Sequence, residues 1–138
     1  MSVEVQFADN GRGVLLVCAG LVTGQELIDA NRKVFSSEER LKRIRYAVVD
    51  QTGTESVDLT FTDLKKIEEE NRRFAPFNPG LVVALVVDKP LPLTLSRVWD
   101  ARTRDVSWEK RLFGRKDEAF AWLKEKMRDR FGMEVTGE

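Results

Sequence analysis

Two short apolar runs, Tyr46-Ala47-Val48-Val49 and Leu81-Val82-Val83-Ala84-Leu85-Val86-Val87, each stop at an aspartate, Asp50 and Asp88. Runs of this length without polar alternation suit strands covered on both faces, and such strands belong to sheets sandwiched by helices. Helix-period stretches separate them. Leu27, Ile28, Ala30, Val34 and Phe35 precede the first run, Leu64, Ile67, Asn71 and Phe74 lie between the two, and Leu95, Val98, Trp99 and Arg102 follow the second. Strands alternating with helices call for right-handed crossovers and a mostly parallel sheet.

The rest of the chain completes this pattern. Val3, Val5 and Phe7 alternate with Glu4 and Gln6, and Val14–Ala19 reads as a second, more buried strand. Between them Asp9-Asn10-Gly11-Arg12-Gly13 supplies the residues that tolerate positive φ, which predicts an antiparallel hairpin. Thr23-Gly24-Gln25-Glu26 has capping-box spacing and opens a helix to Ser36, and Thr60 with Asp63 opens a second helix that Pro76 ends. Glu38–Arg45 is a charged connection. Pro90 and Pro92 break the chain before the third helix, Val106–Phe113 alternates as an edge strand, and Lys116–Arg130 closes as an amphipathic helix stopped at Phe131-Gly132. Residues 132–138 are expected to fray. On the second helix, Lys65/Glu69, Lys66/Glu70, Glu68/Arg72 and Glu69/Arg73 are spaced i,i+4 and read as a solvated face. The predicted order is β-β-α-β-α-β-α-β-α in one α/β domain spanning residues 1–138.

Composition restricts the chemistry. The 138 residues hold one cysteine and no histidine. This removes Ser-His-Asp and Cys-His nucleophilic machinery and every His-ligated metal site. No cofactor or metal is expected, and any reaction must use carboxylates, Lys, Arg, Tyr or hydroxyls. Cys18 lies in the apolar run Val14–Ala19 and reads as a small buried hydrophobe, and a lone cysteine fits a reducing cytoplasm. The apolar runs are too short to span a bilayer, and the N-terminus lacks the basic start of a signal peptide. Charge balances at 23 basic and 23 acidic residues, with 9 against 12 in residues 1–69. The richest basic window, Arg97–Lys116, is interleaved with Asp100, Asp105 and Glu109, so no nucleic-acid stripe is expected.

One local motif suggests an enzyme. Val48-Val49-Asp50-Gln51-Thr52-Gly53-Thr54 resembles the phosphorylated-aspartate signature of haloacid-dehalogenase-type phosphatases and P-type ATPases. That chemistry needs a Lys and further carboxylates on later strand ends, and the later apolar strand offers only Asp88. Strand-terminal Asp followed by Thr and Gly is also ordinary turn chemistry, with Thr52, Thr54 and Ser56 as capping groups.

Three other stretches act together. They are Asp50-Gln51-Thr52-Gly53 with Asp58 beyond, Asp88-Lys89-Pro90-Leu91 leading into Leu95-Ser96-Arg97-Val98-Trp99, and Phe113-Gly114-Arg115-Lys116-Asp117-Glu118-Ala119-Phe120-Ala121-Trp122-Leu123. In order and spacing the chain resembles the SpoIIAA-like fold of STAS domains (sulfate transporter and anti-sigma-factor antagonist), and especially the STAS/SEC14-like subgroup of small bacterial proteins. The resemblance runs from Val3 to Met127. It implies a non-enzymatic regulatory module that contacts a protein partner, and it makes Thr60, with Asp58 nearby, the position of a phosphoacceptor or switch. Leu59 and Phe61 depart from the family pattern there, and Thr60 is equally an N-cap paired with Asp63. The SEC14-like side implies an apolar groove for a lipid-like ligand. Phe61, Phe74, Phe77, Leu91, Leu93, Leu95 and Trp99 are its candidate lining, and Phe74-Ala75-Pro76-Phe77 reads equally as a protein contact. Exposed helix faces make a homodimer possible.

Overall fold

A computed structural model describes residues 2–137. Asp9, Asn10 and Gly11 turn the chain with φ of 54°, 59° and 81°. The turn joins β1 (Val3–Ala8) to β2 (Gly13–Thr23) in an antiparallel pair, with Val3 opposite Cys18 and Ala8 opposite Gly13. From β2 the chain passes through α1 (Gly24–Val34) and α2 (Glu38–Arg43) to β3 (Tyr46–Asp58), then α3 (Phe61–Phe74) and a 3-10 turn at Ala75–Phe77. Next come β4 (Val82–Val86), α4 (Pro90–Arg102), β5 (Glu109–Phe113) and α5 (Lys116–Phe131). The fold is α/β, with one sheet in the order β1-β2-β3-β4-β5 and every pair from β2 onward parallel.

Strand order decides which face each helix covers. Each crossover from β2 to β5 steps to the next strand in the same direction, so right-handed connections put α1 to α4 on one face. That core joins Val14, Ala47, Val83, Leu85 and Val87 of the sheet to Val34, Leu41, Ala75 and Trp108. The helix after the last strand is free to take the other face, where Ala119, Phe120, Leu123 and Met127 of α5 meet Tyr46, Val48, Val82, Ala84 and Val86. The odd and even residues of β4 thus face opposite cores, and all five are buried, as its unbroken apolar run predicts.

The structure departs from the sequence reading in six places. Glu38–Arg43 is a helix, not a loop: Ser37 accepts the Arg40 N–H at 3.1 Å and Leu41 is buried. Six residues are too few for a period to register. β3 continues past Asp50 to Asp58, because β2 runs on to Thr23 and its Ala19–Thr23 stretch hydrogen-bonds Gly53–Asp58. Pro90 and Pro92 lie inside α4, in the first turn, where backbone N–H groups have no intrahelical acceptor to lose. β5 begins only at Glu109, and Val106 and Trp108 are buried in the connection before it. Glu68 and Glu70 are not on a solvated face; both are buried, the first against Arg102 of α4 and the second against Asn31 and Arg32 of α1. Finally, the described part of the 132–138 tail is packed. Gly132 caps α5 in the left-handed conformation, Met133 and Val135 are buried, and Thr136 donates to Asp9. Glu138 lies outside the described residues.

Candidate functional site

α1, α3 and α4 do not close completely over the sheet. Toward the carboxyl ends of β2, β3 and β4 they leave an open-mouthed cavity of about 140 Å³. Its floor is Leu16, Val49 and Leu85 from three adjacent strands, which the register puts in one row on the same face. Its walls are Leu27 of α1, Leu64 and Ile67 of α3, and Leu95 and Trp99 of α4, with Val57 and Leu59 where β3 leads into α3. The prolonged β3 is what brings these last two residues over the sheet.

Four neutral polar side chains, Asn31, Gln51, Asn71 and Ser96, complete the lining. Trp99 Nε1–H donates to Asn71 Oδ1 at 2.9 Å, and Gln51 Nε2–H donates to Ser96 Oγ at 3.3 Å. Asn31 Nδ2–H donates to Glu70 at 3.1 Å. The wall is braced from behind by two ion pairs of α3, Glu68 to Arg102 and Glu70 to Arg32, so both carboxylates are spent on helix-to-helix contacts.

The helix starts at this end are built by paired caps. Thr23 and Glu26 exchange bonds at the start of α1, as Thr60 and Asp63 do at the start of α3. Gly24 lets the two starts meet, since a Cβ there would lie 2.1 Å from Asp63 Oδ2. Thr60 is exposed, and its hydroxyl accepts the Asp63 N–H at 3.1 Å. Asp58 is exposed and is the last residue of β3, beside Thr23.

Of the residues singled out for a groove or partner surface, Leu95 and Trp99 line the cavity. Phe74 instead packs on Phe35 with ring centroids 4.9 Å apart, and Leu93 packs against the same core. Phe61 is 62% exposed under the Arg102 guanidinium, and Phe77 is 47% exposed beyond the far end of α3. The 14 residues of α3 separate these two rings by about 20 Å, so they form no common surface. Leu21, Phe61 and Leu91 are the large exposed apolar side chains at the cavity's end of the sheet. The sequence reading missed the sheet floor and the polar quartet, because a 3.6-residue period identifies helix faces but does not say which strands they leave uncovered.

On the opposite face Asp50 is buried with both oxygens engaged. Oδ1 accepts from Thr52 N–H at 3.0 Å and from its hydroxyl at 2.7 Å, and Oδ2 lies 3.7 Å from Lys116 Nζ at the start of α5. Lys89 donates to the Thr52 carbonyl and, at 3.3 Å, to Asp88. The carboxylate therefore ties β3 to α5. Burial, then the charges of Asp50 and Glu26, push the Cys18 thiol up to about 12, so it stays protonated at neutral pH. No helix among the described residues is long and apolar enough to cross a membrane.

Compared with protein-family models, with curated proteins and with solved structures, the chain finds no match in any of the three.

Proposed function

We propose that this protein is a non-enzymatic binding module that carries or senses a small apolar ligand in the cavity between α1, α3, α4 and the sheet. The observation that supports this is the cavity itself: about 140 Å³ lined mainly by Leu, Val, Ile and Trp, between three helices and the sheet. In volume the cavity is close to an engineered one of about 150 Å³ that takes up benzene. A STAS-like assignment of the fold is part of the same proposal, supported by the element order and the three sequence stretches, with α2 as an added element.

Native mass spectrometry of the purified chain, followed by titration with cumene (isopropylbenzene), tests the reading. A co-purifying small molecule or saturable cumene binding is the expected result, and Ile67→Trp, which fills the cavity, should abolish it. A clean apo mass together with no cumene binding overturns the proposal.

A second reading, a regulatory protein–protein contact, is favoured by Leu21, Phe61 and Leu91 standing exposed at the cavity's end. Phe61→Ser tests it: pull-down of a partner that survives this change unaltered removes the reading.

A further inference from the structure

The cavity wall holds hydrogen-bonding capacity that the protein leaves unused. An indole N–H is donor only, so the Trp99 contact fixes the orientation of the Asn71 amide: the oxygen faces Trp99 and the nitrogen faces away. That nitrogen carries two N–H donors with no acceptor in reach among the described residues, although Asn71 is only 3% exposed and lines the cavity. Ser96, 5% exposed, accepts from Gln51 and donates its own hydroxyl proton to no protein group among the described residues. Gln51 spends its nitrogen on that bond, and its side-chain carbonyl oxygen accepts from no group among the described residues.

These groups come from three elements, α3, α4 and β3, and all line the same cavity. A ligand oxygen in the cavity takes over these donors, exchanging their bonds to solvent for bonds to the ligand. Among the described residues no Lys, Arg, Asp or Glu lines the cavity; the nearby Glu68 and Glu70 are bound to arginines, and Lys110, 5.2 Å from the Trp99 ring centroid, donates to Thr103 and lies beside Asp100. A carboxylate or ammonium would lose its water here and touch no charged side chain of the lining.

We propose that the ligand is a neutral, mainly apolar molecule bearing one carbonyl or hydroxyl oxygen, which accepts hydrogen bonds from Asn71 Nδ2 and Ser96 Oγ. A hydroxyl on the ligand donates in turn to Gln51 Oε1. The proposal rests on the cavity reading above and adds to it the head group: it separates aromatic or short-chain alcohols, ketones and esters from hydrocarbons and from acids of the same size.

Three probes of matched heavy-atom count, acetophenone, cumene and benzoate, are titrated by calorimetry into the full chain and into Asn71→Leu and Ser96→Ala. Each variant is first checked by its urea midpoint, and either one suffices if the other fails to fold. Acetophenone and cumene should both bind the wild-type chain, and benzoate should not. Each variant should weaken acetophenone about fivefold, the weight of roughly one net hydrogen bond, while cumene stays within about twofold. If both probes bind but neither variant changes their ratio, the head-group inference is overturned and the apolar cavity stands. Benzoate binding on a par with acetophenone overturns the requirement for neutrality. If neither acetophenone nor cumene binds, the cavity reading itself fails.

Discussion

Among the described residues, Trp99 and Asn71 form the one direct hydrogen bond between side chains that line the cavity from different helices: the indole N–H of α4 donates to the amide oxygen of α3 at 2.9 Å. The bond ties two walls of the cavity together and at the same time sets which end of the Asn71 amide is available to a ligand. Trp99→Phe keeps the apolar ring and removes the donor, leaving a buried acceptor unpaired. It should lower stability by about 1–2 kcal/mol, seen as a lower urea midpoint at unchanged slope. An unchanged midpoint would mean that the bond does not hold α3 and α4 together.

The Glu68–Arg102 pair should respond asymmetrically. Glu68 is 1% exposed, whereas the Arg102 side chain is partly in water. Arg102→Met strands a carboxylate inside the protein, and Glu68→Met strands a guanidinium that can turn to solvent. The arginine variant should therefore show the larger drop in urea midpoint. Equal drops would indicate that water already reaches the carboxylate.

Gly24→Ala should loosen the start of α3 although Gly24 belongs to α1. The new Cβ would fall 2.1 Å from Asp63 Oδ2 and 2.6 Å from its Cβ, and Asp63 cannot step aside without releasing the Thr60 N–H. The expected cost is about 1–2 kcal/mol, of the size of a lost cap. Thr60→Ala should cost about 1 kcal/mol for the same reason, and amide exchange in the first turn of α3 should accelerate in both variants.

Stability should fall at both ends of the pH scale through Asp9 and Tyr46. Burial pushes the Asp9 carboxyl up, but hydrogen bonds from Tyr46 and then Thr136 outweigh it, and the net value lies below the ordinary 3.8. A carboxylate lowered by folding adds stability above the unfolded value and loses it as pH drops through the folded one. Burial and then Asp9 push the Tyr46 phenol well up from its ordinary 10.0, so above that pH the unfolded chain ionises first and stability declines. Denaturation of wild type and Asp9→Asn across pH should show their difference shrinking below pH 3.8, and a constant difference would exclude Asp9 as the source.

Local chemistry made much of this protein legible in its sequence. The Asp9-Asn10-Gly11 turn, the caps Thr23/Glu26 and Thr60/Asp63, the buried β4 and the burial of Cys18 each depend on residues close in the chain or on an uninterrupted apolar run. Features that need a distant partner were not legible. Gln51–Asp58 is a strand only because β2 lies beside it, and nothing in its own alternation announces that neighbour. Glu68 and Glu70 have the spacing of surface ion pairs, yet Arg102 and Arg32 from other helices draw them inward. Phe74 and Trp99 both carry helical spacing, and the packing sends one into a closed core and the other to a cavity wall. Sequence alone determined the order of the main strands and helices, because backbone propensity and apolar period act over a few residues, while α2, the second half of β3 and the start of β5 depended on their neighbours. Where space stays open, and which polar atoms face it, was decided by the tertiary structure, because a cavity is a property of surfaces that meet only after the sheet has formed.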